Sequence, residues 1–191
     1  MRRALGITIV ACAISAIAHA DERAASAPPA AIGRGWVEVA GEVHREAWNY
    51  NVSDEDLFGG TAGLWYPAGT RWSIGAEATC VYVNQERVSS APFAGVALIL
   101  RRHFARRALT YFVEGGGGLS YAARFVPPRG TRFNYIFETG VGIIHPTSRY
   151  AHFIASLRFL HLSNNGLAGR DRNPDIEAFG LRLGVLLPLN P

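Results

Sequence analysis

The sequence predicts an all-β chain that closes as an eight-stranded antiparallel up-and-down β-barrel across a membrane, and three observations predict it. Segments of about ten to fifteen residues recur with two-residue alternation of apolar against small or polar residues, and turn residues separate them. After the N-terminus no run reaches the ~18 apolar residues of a spanning helix, although 49% of the residues are hydrophobic and 21 are glycine. The connections alternate between short and long, as they do when hairpin turns crowd one rim of a barrel and loops the other.

The first twenty residues read as an export signal. Arg2 and Arg3 give a basic start, Leu5 to Ile17 an apolar run, and Ala18-His19-Ala20 a small-x-small cleavage site before Asp21. At about 13 residues the run is short of the roughly 20 of a spanning helix. A lipoprotein signal ending at Cys12 is the competing reading, and it would cut the apolar region to about eight residues. The expectation is therefore a signal peptide over 1–20, a flexible Ala- and Pro-rich lead-in over 21–34, and one barrel domain over 35–191.

Eight strands are expected over 35–46, 57–66, 71–84, 92–104, 108–123, 132–145, 149–163 and 175–187. Short turns fall at Pro67 to Thr70, Ala105 to Arg107 and Pro146 to Ser148; longer polar loops fall at Asn49 to Asp56, Gln85 to Ala91, Phe125 to Thr131 and Asn164 to Pro174. Parity assigns the faces, because successive strand side chains point to opposite sides. In the seventh strand Phe153, Ala155, Leu157 and Phe159 oppose His152, Ile154, Ser156 and Arg158. In the eighth, Phe179, Leu181, Leu183 and Val185 oppose Ala178, Gly180, Arg182 and Gly184; in the sixth, Phe133, Tyr135, Phe137, Val141 and Ile143 oppose Asn134, Glu138, Gly140 and Gly142. The same rule sends Glu38, Glu42, Glu77, Arg101 and Glu114 inward, to a lumen that eight strands leave just wide enough for side chains. The opposite assignment, a water-soluble barrel of lipocalin type, would leave a continuous Phe, Leu, Val and Tyr face in water.

Charge excludes one class of partner. The formal charge of +4 falls to about +2 once Arg2 and Arg3 are removed, so nucleic acid is not indicated. Cys80 alone survives cleavage, which leaves no internal disulfide and no CxxC zinc pair. Gly115 to Gly118 is followed by no Lys-Ser/Thr and opens no helix, so it marks strand bending or close backbone approach rather than a phosphate loop.

One set of residues breaks the pattern of faces. His161 and Ser163 continue the seventh strand on its odd, lipid-facing side, and Glu177 opens the eighth on the same side. Polar and ionisable groups beside hydrocarbon are costly and point to function. A serine is a weak nucleophile until a base takes its proton, and an imidazole does so best when a carboxylate fixes its tautomer. The roles follow: Ser163 nucleophile, His161 base, Glu177 orienting acid, with the Asn164 amide or the backbone N–H groups of Asn165 and Gly166 for an oxyanion. Each residue alone has a plainer reading, as a turn serine, an interfacial histidine and a loop-capping glutamate. His44, His103, His145 and His152 lack such partners in sequence and read as lumen or rim residues.

His161-x-Ser163-Asn164, then Asn173-Pro174 and Glu177, in an eight-strand layout that covers nearly all the mature chain, resembles the lipid A 3-O-deacylase (PagL) family and related acyloxyacyl hydrolase-like barrels. The resemblance implies an outer-membrane serine esterase that removes the 3-linked acyl chain of lipid A, with lipopolysaccharide of the outer leaflet and surrounding membrane lipids as its partners. It also implies a His161, Ser163 and Glu177 triad on the outer wall, support from Asn164, and no metal or organic cofactor. A phospholipase-type esterase would use the same triad, and a non-enzymatic barrel, an adhesin or surface antigen, would use the long loops. The oligomeric state stays open, a homodimer among the options.

Overall fold

A strand surrounded by hydrocarbon has no water for its N–H and C=O groups, and only closure into a cylinder leaves no unpaired edge. The computed structural model describes residues 35–48, 54–106, 109–148 and 150–189. The expected signal peptide and lead-in lie outside the described residues. Among these residues eight strands meet the closure requirement: β1 (Trp36–Glu46), β2 (Glu55–Pro67), β3 (Trp72–Gln85), β4 (Ala91–Arg106), β5 (Leu109–Val126), β6 (Thr131–Pro146), β7 (His152–Ser163) and β8 (Ile176–Pro188). Each pairs antiparallel with its neighbours in sequence, and β1 closes on β8 from Trp36↔Pro188 to Glu46↔Ala178. The expected faces hold. Val96, Leu98, Leu157, Phe179 and Leu183 are exposed on the wall, whereas Glu38, Glu42, Glu77, Arg101, Glu114, Arg158 and Arg182 are buried inside.

The lumen is layered rather than uniformly polar. Toward the long-loop rim Leu57, Val83, Phe93, Ile136, Leu162 and Ile176 belong to one apolar cluster. Toward the short-turn rim Trp36, Trp65, Ile99, Phe112, Ile144 and Ile154 belong to another. Between them lies a network of charge. Arg101 donates to Glu38 and Glu114, at 2.8 Å each. Arg158 donates to Glu77 at 2.7 Å, Glu114 at 2.8 Å and Glu138 at 3.3 Å. Arg182 reaches Glu77 at 2.8 Å, Thr61 at 2.8 Å and also Glu38. Buried guanidinium and carboxylate groups survive away from water only when paired in this way.

Gly75 shows how tightly the interior is filled. It sits directly across from Trp65, whose ring lies flat on it and carries the Arg101 guanidinium 3.8 Å above its centre. A Cβ at position 75 would fall 2.5 Å from Trp65 Cδ2. Gly75→Ala is therefore expected to destabilise the barrel by about 1–3 kcal/mol through overpacking, read as a lower unfolding midpoint in urea and detergent.

Candidate active site

β7 and β8 run side by side with the pairs Phe159↔Phe179, Leu160↔Ala178, His161↔Glu177 and Leu162↔Ile176. Register makes His161 and Glu177 direct cross-strand neighbours, and parity puts both on the outer wall with Ser163 one place further on that face. The imidazole divides its two nitrogens between the other groups. His161 Nε2 is 3.0 Å from Ser163 Oγ, and Nδ1 is 3.6 Å from a Glu177 carboxylate oxygen. The histidine and glutamate side chains are 30% and 29% exposed, while Ser163 is only 7% exposed.

Aromatic residues frame this group. Tyr135 and Phe137 of β6 lie level with Ser163 and His161. Phe159 and Phe179 come next down the wall, 5.2 Å apart ring to ring, with Trp48 against both. A polar cluster at the loop end of the wall, with apolar surface running away from it, suits a molecule with a polar junction and hydrocarbon chains.

Asn164 and Gly166, the residues expected to support an oxyanion, bond to each other in the turn after β7. Asn164 is even-numbered and turns inward, 1% exposed; its amide donates to the Arg172 carbonyl at 2.5 Å and its Oδ1 accepts the Gly166 N–H at 3.0 Å. Both groups hold the turn that follows β7, where Asn165 and Gly166 have φ of 52° and 77°. Arg172 belongs to a 3-10 turn over Arg170–Arg172, and its side chain lies over Phe125 at 5.4 Å and donates to Gly130 O at 3.4 Å. The loop that carries the chain from Ser163 to Glu177 is thereby anchored to the β5–β6 loop.

The remaining histidines sit apart from the cluster. His103 Nε2 is 2.8 Å from Ser73 Oγ and His44 lies 3.4 Å from Glu42, both in the lumen. His152 is buried at the start of β7, and His145 is exposed at the end of β6. Sequence reasoning passed over Asp175. It stands two residues before Glu177, and a nitrogen of His161 with one carboxylate oxygen each from Asp175 and Glu177 all lie within 4.8 Å of one another. These are the described residues whose donor set has the composition of a divalent-cation site.

A sequence model of the family described as lipid A 3-O-deacylase (PagL) matches residues 40–185. The fold is similar to that of the outer membrane enzyme PagL, with a TM-score of 0.58 and 17% identity over 80% of this chain and 99% of that one. It is also similar to Neisserial surface protein A, with a TM-score of 0.59 and 9% identity over 81% of this chain and 97% of that one. Outer membrane protein OprG from Pseudomonas aeruginosa gives a TM-score of 0.52 and 9% identity over 81% and 95%. At these identities the structural likenesses speak for the fold alone. No curated protein matches the chain.

Proposed function

The chain belongs to the lipid A 3-O-deacylase (PagL) family of outer-membrane barrels, and from that membership we propose that Ser163, His161 and Glu177 are the triad that cleaves the ester. The observation that carries this reading is the split of one imidazole between a hydroxyl at 3.0 Å and a carboxylate at 3.6 Å. Ser163 Oγ attacks the carbonyl carbon of the 3-linked acyl ester as His161 Nε2 takes the hydroxyl proton. The tetrahedral intermediate collapses, the sugar oxygen leaves with the proton held on Nε2, and an acyl-Ser163 remains. Water, deprotonated by the same nitrogen, then releases the fatty acid and restores the hydroxyl.

Asn164 supports the site by fixing the turn after β7 through its bonds to Arg172 and Gly166. We assign oxyanion stabilisation to donors of that turn, the backbone N–H of Asn165 foremost, since the Gly166 N–H already bonds Asn164 Oδ1. Substrate enters sideways from the outer leaflet, because the cluster faces outward and its flank is aromatic.

Mass spectrometry of lipid A incubated with the purified, refolded protein tests the reading. Loss of the 3-linked chain is the expected product. Fatty acid released from phospholipid instead would favour the phospholipase-type esterase, and no product at all would favour an adhesin or surface antigen. Activity is further expected to persist in excess chelator, since the nucleophile is activated by an imidazole. Activity lost in chelator and restored by calcium would turn His161, Asp175 and Glu177 into ligands and overturn the metal-free mechanism.

A further inference from the structure

Ile176 is wholly buried between Asp175 and Glu177, and alternation about it places the two carboxylates on the side that carries His161. The β7–β8 ladder ends at Leu162↔Ile176. One step beyond that pair, Asp175 stands level with Ser163 as Glu177 stands level with His161. The side chains agree with this placement, the three polar atoms lying within 4.8 Å of one another.

Distance then decides how much Glu177 does alone. At 3.6 Å its oxygen is outside the roughly 2.7–2.9 Å of a charge-assisted hydrogen bond, so it acts on the ring mainly through charge. Coulomb attraction falls only as the reciprocal of distance, and a second carboxylate no farther than 4.8 Å keeps at least about three-quarters of the pull exerted at 3.6 Å. We propose that Asp175 is a second positioning carboxylate for His161, sharing with Glu177 the orientation of the ring and the stabilisation of the imidazolium formed when Ser163 gives up its proton. The inference rests on the triad reading and deepens it.

The test is a set of variants of the full refolded chain, assayed for kcat and KM on lipid A in detergent. A triad with one orienting carboxylate loses on the order of 10⁴-fold in turnover when that group is removed. With two, Glu177→Ala is expected to lose only about 10–100-fold and Asp175→Ala less than about tenfold, while the double variant falls by about 10⁴-fold with KM little changed. Asp175→Asn on the Glu177→Ala background should match the double alanine variant, because Asn keeps the size and loses the charge. Asp175→Glu on that background should recover activity toward the Glu177→Ala level. Unchanged heat-modifiability of every variant on gels shows that the loop and barrel are intact. A double variant no slower than Glu177→Ala, or an Asp175→Asn/Glu177→Ala variant as active as Glu177→Ala, overturns the role of Asp175 and leaves the triad standing. A folded Ser163→Ala variant with near wild-type turnover overturns the triad itself.

Discussion

Replacing Ser163 or His161 by alanine is expected to lower turnover by roughly 10⁴-fold or more each, with the double variant scarcely slower than either. On the proposed mechanism the two act as one unit: without the imidazole 3.0 Å away the hydroxyl keeps its proton, and without the hydroxyl the imidazole has nothing to activate. Neither change should cost the barrel measurable stability. Both side chains lie at the loop end of the outer wall, away from the buried network, and Ser163→Ala removes one oxygen from a strand terminus. His152→Ala is the internal control, since His152 lies on the inner face of the same strand, below the Arg158 layer. It should leave the chemistry intact. Single-turnover release of fatty acid from lipid A, alongside gel heat-modifiability, separates the outcomes, and a well-folded Ser163→Ala protein at wild-type rate would remove Ser163 as the nucleophile.

Arg158→Leu is expected to produce the largest loss of stability, about 3–5 kcal/mol. Its guanidinium is the meeting point of Glu77, Glu114 and Glu138, and it is 1% exposed. Without it three carboxylates face one another in a sealed interior. Arg101 still holds Glu114 and Arg182 still holds Glu77, so Glu138 is the group left without an arginine. Adding Glu138→Gln to Arg158→Leu should therefore restore part of the loss. Urea titration of the protein in detergent, followed by tryptophan fluorescence, measures both. Equal midpoints for Arg158→Leu and wild type would mean that the network does not hold the strands together.

Most of this architecture was legible because the period of a strand is two and a slip by one residue would exchange the faces. The inward placement of Glu38, Glu77, Arg101, Arg158 and Arg182 needed nothing else. Their pairing was not legible, since Arg101 meets Glu38 across 63 positions of sequence and Arg182 meets Glu77 across 105. Closure alone brings such residues together. The seventh strand starts at His152 rather than near 149 because Ser148 Oγ accepts the N–H groups of Tyr150 and Ala151 and makes a turn of that stretch. At the site, the same parity that placed His161, Ser163 and Glu177 on one face also placed Asn164 on the other. Its amide, read as a candidate donor, turns inward and bonds the Arg172 carbonyl, a contact that alternation could not have foretold. Asp175 shares the parity of Glu177 as well, but it stands one residue before the strand, so parity alone did not single it out.

The apolar layers that close both ends of the lumen bear on how the protein meets its substrate. Leu57, Phe93, Leu162 and Ile176 fill the lumen toward one mouth and Trp36, Trp65 and Ile154 toward the other, so among the described residues the interior is packed with side chains. The reactants must instead come together by lateral diffusion in a sheet. The quantity that sets the reaction rate is then the mole fraction of lipid A among the lipids brushing the β6, β7 and β8 wall, so diluting the vesicles in buffer should leave turnover unchanged while diluting lipid A with inert lipid should slow it.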